Sequence, residues 1–164
     1  MIVITPDRLS EADPVALASA CECVIVIAGG NVAGRPAAAL LFSDYAVMTP
    51  AASITLDSAL AWAGVIWRVG DRALRLHVSA PRTQTIPPVK ALELGLIDEI
   101  AADAVEWRRR FFDARSAVAL DSAAMLTGSR GGDALERAEF ARLFSAGEPQ
   151  RGLRSFLEKR RPQF

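Results

Sequence analysis

Val24-Ile25-Val26-Ile27 is an unbroken run of β-branched residues that stops at Gly29-Gly30-Asn31. A strand with one wet face alternates polar and apolar residues, whereas a run like this belongs in a strand covered on both faces, as in parallel sheets flanked by helices. The run therefore commits the chain to an α/β architecture. After the glycine turn, Gly34 to Phe42 reads as a helix with a proline as its second or third residue, where the missing N–H costs little. A buried strand that feeds a glycine turn is a common site-building unit.

Other elements follow from the same signals. Met1 to Thr5 reads as a short strand ending at Pro6, and Ser10 and Asp13 offer caps for a helix through Cys21. Tyr45 to Met48 and Ser53 to Leu56 read as strands on either side of Pro50, and Leu60 to Val69 and Arg72 to Val78 as helices. No strand signal is read beyond that point. From Pro87 the pattern is helical: a short helix bearing Val89, Leu92 and Leu94, a long one over Val105 to Met125, a break at Gly128 to Gly132, a helix capped by Asp133, and a last one over Pro149 to Lys159. A strand-rich front passes into an all-helical rear, without repeats or a linker, so a single domain over 1–164 is expected.

Composition narrows the function classes. The 164 residues are 51% hydrophobic and 23% charged, ample for a core. Nineteen basic residues balance nineteen acidic ones, so no net field draws the chain to nucleic acid or an anionic membrane. Apolar stretches fall short of the about 20 residues of a spanning helix, and the N-terminus has no basic region leading into an apolar one, so a cytoplasmic location is expected. Cys21, Cys23 and the lone His77 are too few for a disulfide framework or a metal site, and the cysteines are expected to be packed thiols.

Two segments give a more specific signal. Ala91-Leu92-Glu93-Leu94-Gly95-Leu96-Ile97-Asp98-Glu99-Ile100 and the ending Phe156-Leu157-Glu158-Lys159-Arg160-Arg161-Pro162-Gln163-Phe164 resemble the crotonase (enoyl-CoA hydratase/isomerase) superfamily. Gly30 to Asp44 resembles, without gaps, that family's run from Asn-Gly through a glycine triplet to an Asp. The resemblance implies a truncated crotonase-like β-β-α spiral over about 1–100 and a helical trimerisation region over about 101–164. Gly95 is then expected to end a helix.

The resemblance also implies a ligand class, acyl-CoA thioesters of the kind handled in fatty acid metabolism, with CoA as part of the substrate and no separate cofactor. It assigns the backbone N–H of Arg35, beside Gly34, to an oxyanion hole at a helix N-terminus, although an ordinary helix start fits the same residues. Phe156 and Lys159 correspond to the aromatic and cation that meet the adenine and phosphate end of CoA; a solvated basic end is the other reading of Lys159-Arg160-Arg161. The family's two glutamates, however, fall on Ala38 and Ser58. Hydration needs both a base and an acid, and loss of either typically costs ~10²–10⁴-fold in rate.

A catalytically impaired protein that binds acyl-CoA or serves as a partner subunit is therefore expected, as a homotrimer or hexamer or in a hetero-oligomer with a full-length relative. The alternative is an active isomerase with Asp57 as the catalytic proton shuttle, against the plainer reading that Asp57 caps the helix beginning near Ser58. Two stretches depart from the family pattern. The usual glycine-rich loop after Ser58 is missing, alignment resuming at Arg68-Val69-Gly70, and Pro6 to Pro14 has no counterpart of the loop that gives the second oxyanion donor.

Overall fold

All five residues of β2 (Val24–Ala28) are buried, as an uninterrupted β-branched run requires. The computed structural model describes residues 1–20, 22–70, 83–128 and 133–160. In it β2 is an inner strand of a four-stranded parallel sheet, ordered β1 (Ile2–Ile4), β2, β4 (Tyr45–Met48) and β7 (Glu99–Ile100). A second, three-stranded sheet is ordered β3 (Asn31–Ala33), β5 (Ser53–Leu56) and β6 (Gln84–Ile86), with β3 parallel and β6 antiparallel to β5. The chain visits the sheets in turn. β2 and β3 precede helix α2 (Gly34–Phe42), and β4 and β5 precede α3 (Ala59–Val69), so two β-β-α turns wind in succession.

Contrary to the sequence pattern, the strands do not end at Leu56; β6 and β7 extend both sheets. They are three and two residues long, too short for a period of two to register. Nor does the turn at Gly29-Gly30-Asn31 end in loop, because Asn31 is already the first residue of β3. Helix α1 (Pro14–Ala18) starts as expected at Asp13, whose Oδ1 accepts the Val15 N–H at 3.1 Å, while Ser10 lies in a 3-10 turn over Leu9–Glu11. The expected helix over Arg72 to Val78, with Cys21 and His77, lies outside the described residues.

These strands and helices, residues Ile2–Ala20 and Val24–Ala104, form one compact unit. Leu40, Leu41, Ile54, Leu56, Val65 and Leu96 are wholly buried in its core. Helices α2 and α3 approach closely at Gly64, where a Cβ would stand only 2.6 Å from Leu41 Cβ. Helix α4 (Pro88–Glu93) ends as expected at Gly95, φ +75°. The Gly95 N–H donates to Leu92 O at 3.0 Å and the Leu96 N–H to Ala91 O at 2.8 Å, the paired bonds of a Schellman end.

Met1, Cys21–Cys23 and Val105–Phe164 form a second compact unit. The expected single helix over Val105 to Met125 is two, α5 (Ala104–Asp113) and α6 (Ala117–Gly128). Ser116 makes the break: its Oγ accepts the Ala119 N–H at 3.4 Å and its carbonyl the Leu120 N–H at 3.0 Å, so it serves as a cap within an apolar pattern. Trp107 stacks on Phe111 at 4.7 Å, and the Arg115 guanidinium lies 4.1 Å from the Phe111 ring centre. Helices α7 (Asp133–Ser145) and α8 (Glu148–Leu157) follow. Cys23 is buried.

Candidate functional site

The start of α2 is built by the strand before it. Ala33 is extended and Gly34 enters the helix at φ +56°, a left-handed conformation that favours glycine. The N–H groups of a first turn have no carbonyl of their own helix to donate to, which makes such a turn attractive to anions. Here Pro36 has no N–H, and the Gly34 N–H donates to Asp57 Oδ1 at 2.9 Å. No described residue accepts from the Arg35 N–H. The Arg35 side chain turns aside toward Asp13, with Nη2 3.5 Å from Oδ1. Both groups are exposed, so this pair is worth no more than about 1 kcal/mol.

The structure thus brings Gly34, Arg35 and Asp57 together. Asp57 does not cap the helix that follows it. Ser58 does, through an Oγ that accepts the Ala61 N–H at 3.2 Å, while Asp57 closes the end of α2 from outside. Ala38, on the same helix, is wholly buried. Of the two positions that correspond to glutamates by resemblance, one is therefore enclosed and the other holds a hydroxyl already engaged as a cap.

A polar strip on the second sheet escaped the sequence reading. Asn31 Oδ1 accepts from Ser53 Oγ at 2.9 Å and from Thr55 Oγ1 at 3.0 Å, and the Thr55 and Thr85 hydroxyls are 3.2 Å apart. The signal was present as period two: Ser53, Thr55 and Asp57 alternate with the buried Ile54 and Leu56.

The polar residues of the segment Ala91 to Ile100 are structural. Asp98 Oδ2 accepts the Ala46 N–H at 2.7 Å and pairs with Arg68 Nη2, while Arg68 Nη1 donates to Ser43 O at 2.7 Å. Burial pushes the Arg68 guanidinium below its ordinary value, and the Asp98 and Asp44 charges oppose that shift. Asp44 Oδ2 accepts the Val24 N–H at 2.7 Å, which fixes the start of β2.

Phe156 and Lys159 belong to the helical unit. Leu153, Phe156 and Leu157 of α8 are exposed, Phe156 by 79%, and Ser155 is buried. Lys159 follows the helix at φ +51°, the one non-glycine residue with a positive φ among those described. Its N–H donates to Phe156 O at 3.1 Å, and the Arg160 N–H to Ser155 O at 3.0 Å. A Schellman end is thereby made with lysine where glycine is usual.

Among the described residues no group of three or more His, Cys, Asp or Glu could hold a metal ion. Nor is any helix among them long and apolar enough to cross a membrane. No family model matches the chain, and no curated protein matches it. Solved structures do. An enoyl-CoA hydratase/isomerase from Cupriavidus metallidurans CH34 matches 98% of this chain at 20% identity, with 78% of its own chain covered and a TM-score of 0.70. An enoyl-CoA hydratase from Shewanella pealeana matches 97% at 25% identity, with 65% covered and a TM-score of 0.64. An enoyl-CoA hydratase/isomerase from Marinobacter aquaeolei matches 91% at 20% identity, with a TM-score of 0.66, and the chain spans 63% of its length. These matches cover nearly the whole chain, and its fold is the crotonase fold, that of the enoyl-CoA hydratase/isomerase structures.

Proposed function

We propose that this chain binds acyl-CoA thioesters without turning them over at the rate of a hydratase, as a ligand-holding or partner subunit in the cytoplasm. The observation that carries the reading is the state of the two glutamate positions: Ala38 is wholly buried and the Ser58 hydroxyl caps α3. Base and acid are both missing there, whereas a donor for a thioester carbonyl remains in the Arg35 N–H. Phe156 and Lys159 would take the adenine and phosphate end of CoA, an exposed ring and a cation. One observation favours the active isomerase as a second reading: Asp57 sits beside Arg35, at the Gly34 N–H.

Calorimetric titration with crotonyl-CoA and free CoA, with the enoyl absorbance followed in the same samples, tests the reading. Heat with constant absorbance is expected; steady loss of absorbance would establish a hydratase instead, and a gain of the same absorbance from a 3-enoyl-CoA would establish the isomerase. Lys159→Gly adds a control. Glycine relieves the left-handed residue and keeps the helix end, so α8 is expected to hold or gain stability. CoA affinity is expected to fall about threefold to tenfold as a phosphate partner is lost. Unchanged affinity would remove Lys159 from the site.

The exposed stripe of Leu153, Phe156 and Leu157, with Phe140 and Phe144 exposed and 4.5 Å apart on α7, further supports assembly. A trimer or hexamer of this chain, or a mixed assembly with a full-length relative, is the proposed form. Sedimentation at low micromolar concentration is expected to give a mass well above 17.6 kDa, and a monomeric mass would argue against self-assembly.

A further inference from the structure

Helix α3 is apolar on both of its faces. Its one charged side chain, Arg68, turns inward to Ser43 O and Asp98, and Ala61, Gly64 and Val65 are buried, Gly64 against Leu41 of α2. The opposite face consists of Ala59, Ala63, Ile66 and Trp67, all exposed, Ile66 by 59% and Trp67 by 58%. Positions i, i+4, i+7 and i+8 form the stripe that an amphipathic helix turns to a core, and a helix apolar all round belongs in an interior. The Trp67 ring is already held against Phe42, with 5.9 Å between centroids. An anchor of the residue type that dominates interface energies thus stands on the surface with little ordering left to lose.

We propose that this face of α3 packs against the same face of a second copy across a twofold axis. At such an axis each side chain meets its own copy, so any charge would meet one of the same sign. None of the four outward residues is charged, and the face is self-complementary in that sense. The same lack of cations argues against a membrane surface, since helices that lie on one carry lysine or arginine beside the apolar stripe. The order of large and small residues fits the axis as well. In an antiparallel pair centred on Ala63, midway along α3, Trp67 of each copy falls on Ala59 of the other, a ring over a methyl group, and the two backbones can come close. One helix face falls short of the about 800 Å² per partner of a standard interface, so the pairing alone is expected to be weak and concentration-dependent. The inference does not need acyl-CoA binding, and it supplies the twofold contact by which two trimers make a hexamer.

Sedimentation velocity of the full chain over about 1–100 μM tests this on the wild type, Ala63→Glu, Trp67→Glu and Val89→Glu, with far-UV circular dichroism to confirm folding. The wild-type mass is expected to rise with concentration and to reach about twice that of Ala63→Glu and of Trp67→Glu, because loss of a twofold contact halves a closed assembly whatever other contacts hold it. Trp67→Glu also loses the Phe42 contact. Ala63 is exposed and glutamate is a strong helix former, so Ala63→Glu carries the test if the tryptophan variant does not fold. Val89→Glu, at an exposed apolar residue of α4, is the control for added charge and is expected to keep the wild-type mass. The same mass in all four proteins would overturn the α3 contact while leaving assembly through α7 and α8 and the acyl-CoA reading untouched. A wild-type monomer at every concentration would overturn it together with self-assembly. A mass lowered equally in all three variants would trace the loss to charge rather than to this face, and would overturn it too.

Discussion

Asp98→Ala is expected to destabilise the sheet-bearing unit by about 3 kcal/mol, toward the lower end of what removal of one partner from a buried ion pair costs. The Arg68 side chain is 9% exposed and Asp98 37%, so the guanidinium has little access to water once its counter-ion is gone. Arginine cannot shed its proton to escape, and its Nε is already buried without a partner. The same carboxylate holds the Ala46 N–H at the start of β4 opposite β7. One substitution thus leaves a buried charge and an unpaired strand N–H together. Urea unfolding followed by tryptophan fluorescence reads the effect. The double variant Arg68→Met with Asp98→Ala is expected to recover part of the loss, because it removes the stranded charge as well. A loss below about 0.5 kcal/mol in the single variant would place the pair among ordinary surface ion pairs.

How much of this was legible in the sequence differs by element. The unbroken apolar run from Val24 and the helix from Gly34 to Phe42 were readable because burial on both faces and a first-turn proline leave local marks. Gly95 was readable for a similar reason, since a left-handed helix end needs glycine. What escaped was short or relational. β6 and β7 gain their strand character from partners at Leu56 and Met48 rather than from their own residues. Ser116 lies in an apolar stretch whose period continues through it, so only its hydrogen bonds reveal a helix start.

The site was legible in its parts but not in its joins. Arg35 and Asp57 lie 22 positions apart, and nothing in the spacing says that the carboxylate turns back to α2 rather than forward to α3. The parallel register does, because β3 and β5 run side by side from Asn31 opposite Ser53 to Ala33 opposite Thr55. The residues just past each strand, Gly34 and Asp57, are thereby delivered to the same edge. Phe156 and Lys159 came from resemblance alone, and their exposure at the end of α8 is compatible with the proposed role without being specific to it.

Ala38→Glu, which would restore the carboxylate where the crotonase resemblance expects one, is expected to unfold the sheet-bearing unit more readily than to revive hydration. Ala38 is wholly buried, and its carbonyl oxygen would lie 3.6 Å from a Cβ built on Gly64, where α2 and α3 nearly touch. A glutamate there would have to force the helices apart, at about 1–3 kcal/mol for overpacking, and bury a charge. The isosteric Ala38→Gln isolates the volume effect. The further loss in Ala38→Glu, about 3–5 kcal/mol at pH 8, is the cost of an uncompensated buried carboxylate. Its pH dependence has a definite sign. Burial raises the carboxyl pKa in the folded state above the unfolded value of about 4.3, so the folded chain holds its proton longer and stability falls as pH rises from there. Below that pH the glutamate and glutamine variants are expected to unfold at the same urea concentration, and above it to diverge until the folded-state pKa is passed. If instead Ala38→Glu with Ser58→Glu folds normally at pH 8 and hydrates crotonyl-CoA, the enclosed side of α2 has room for catalysis, and absence of the two carboxylates alone would separate this chain from a working hydratase.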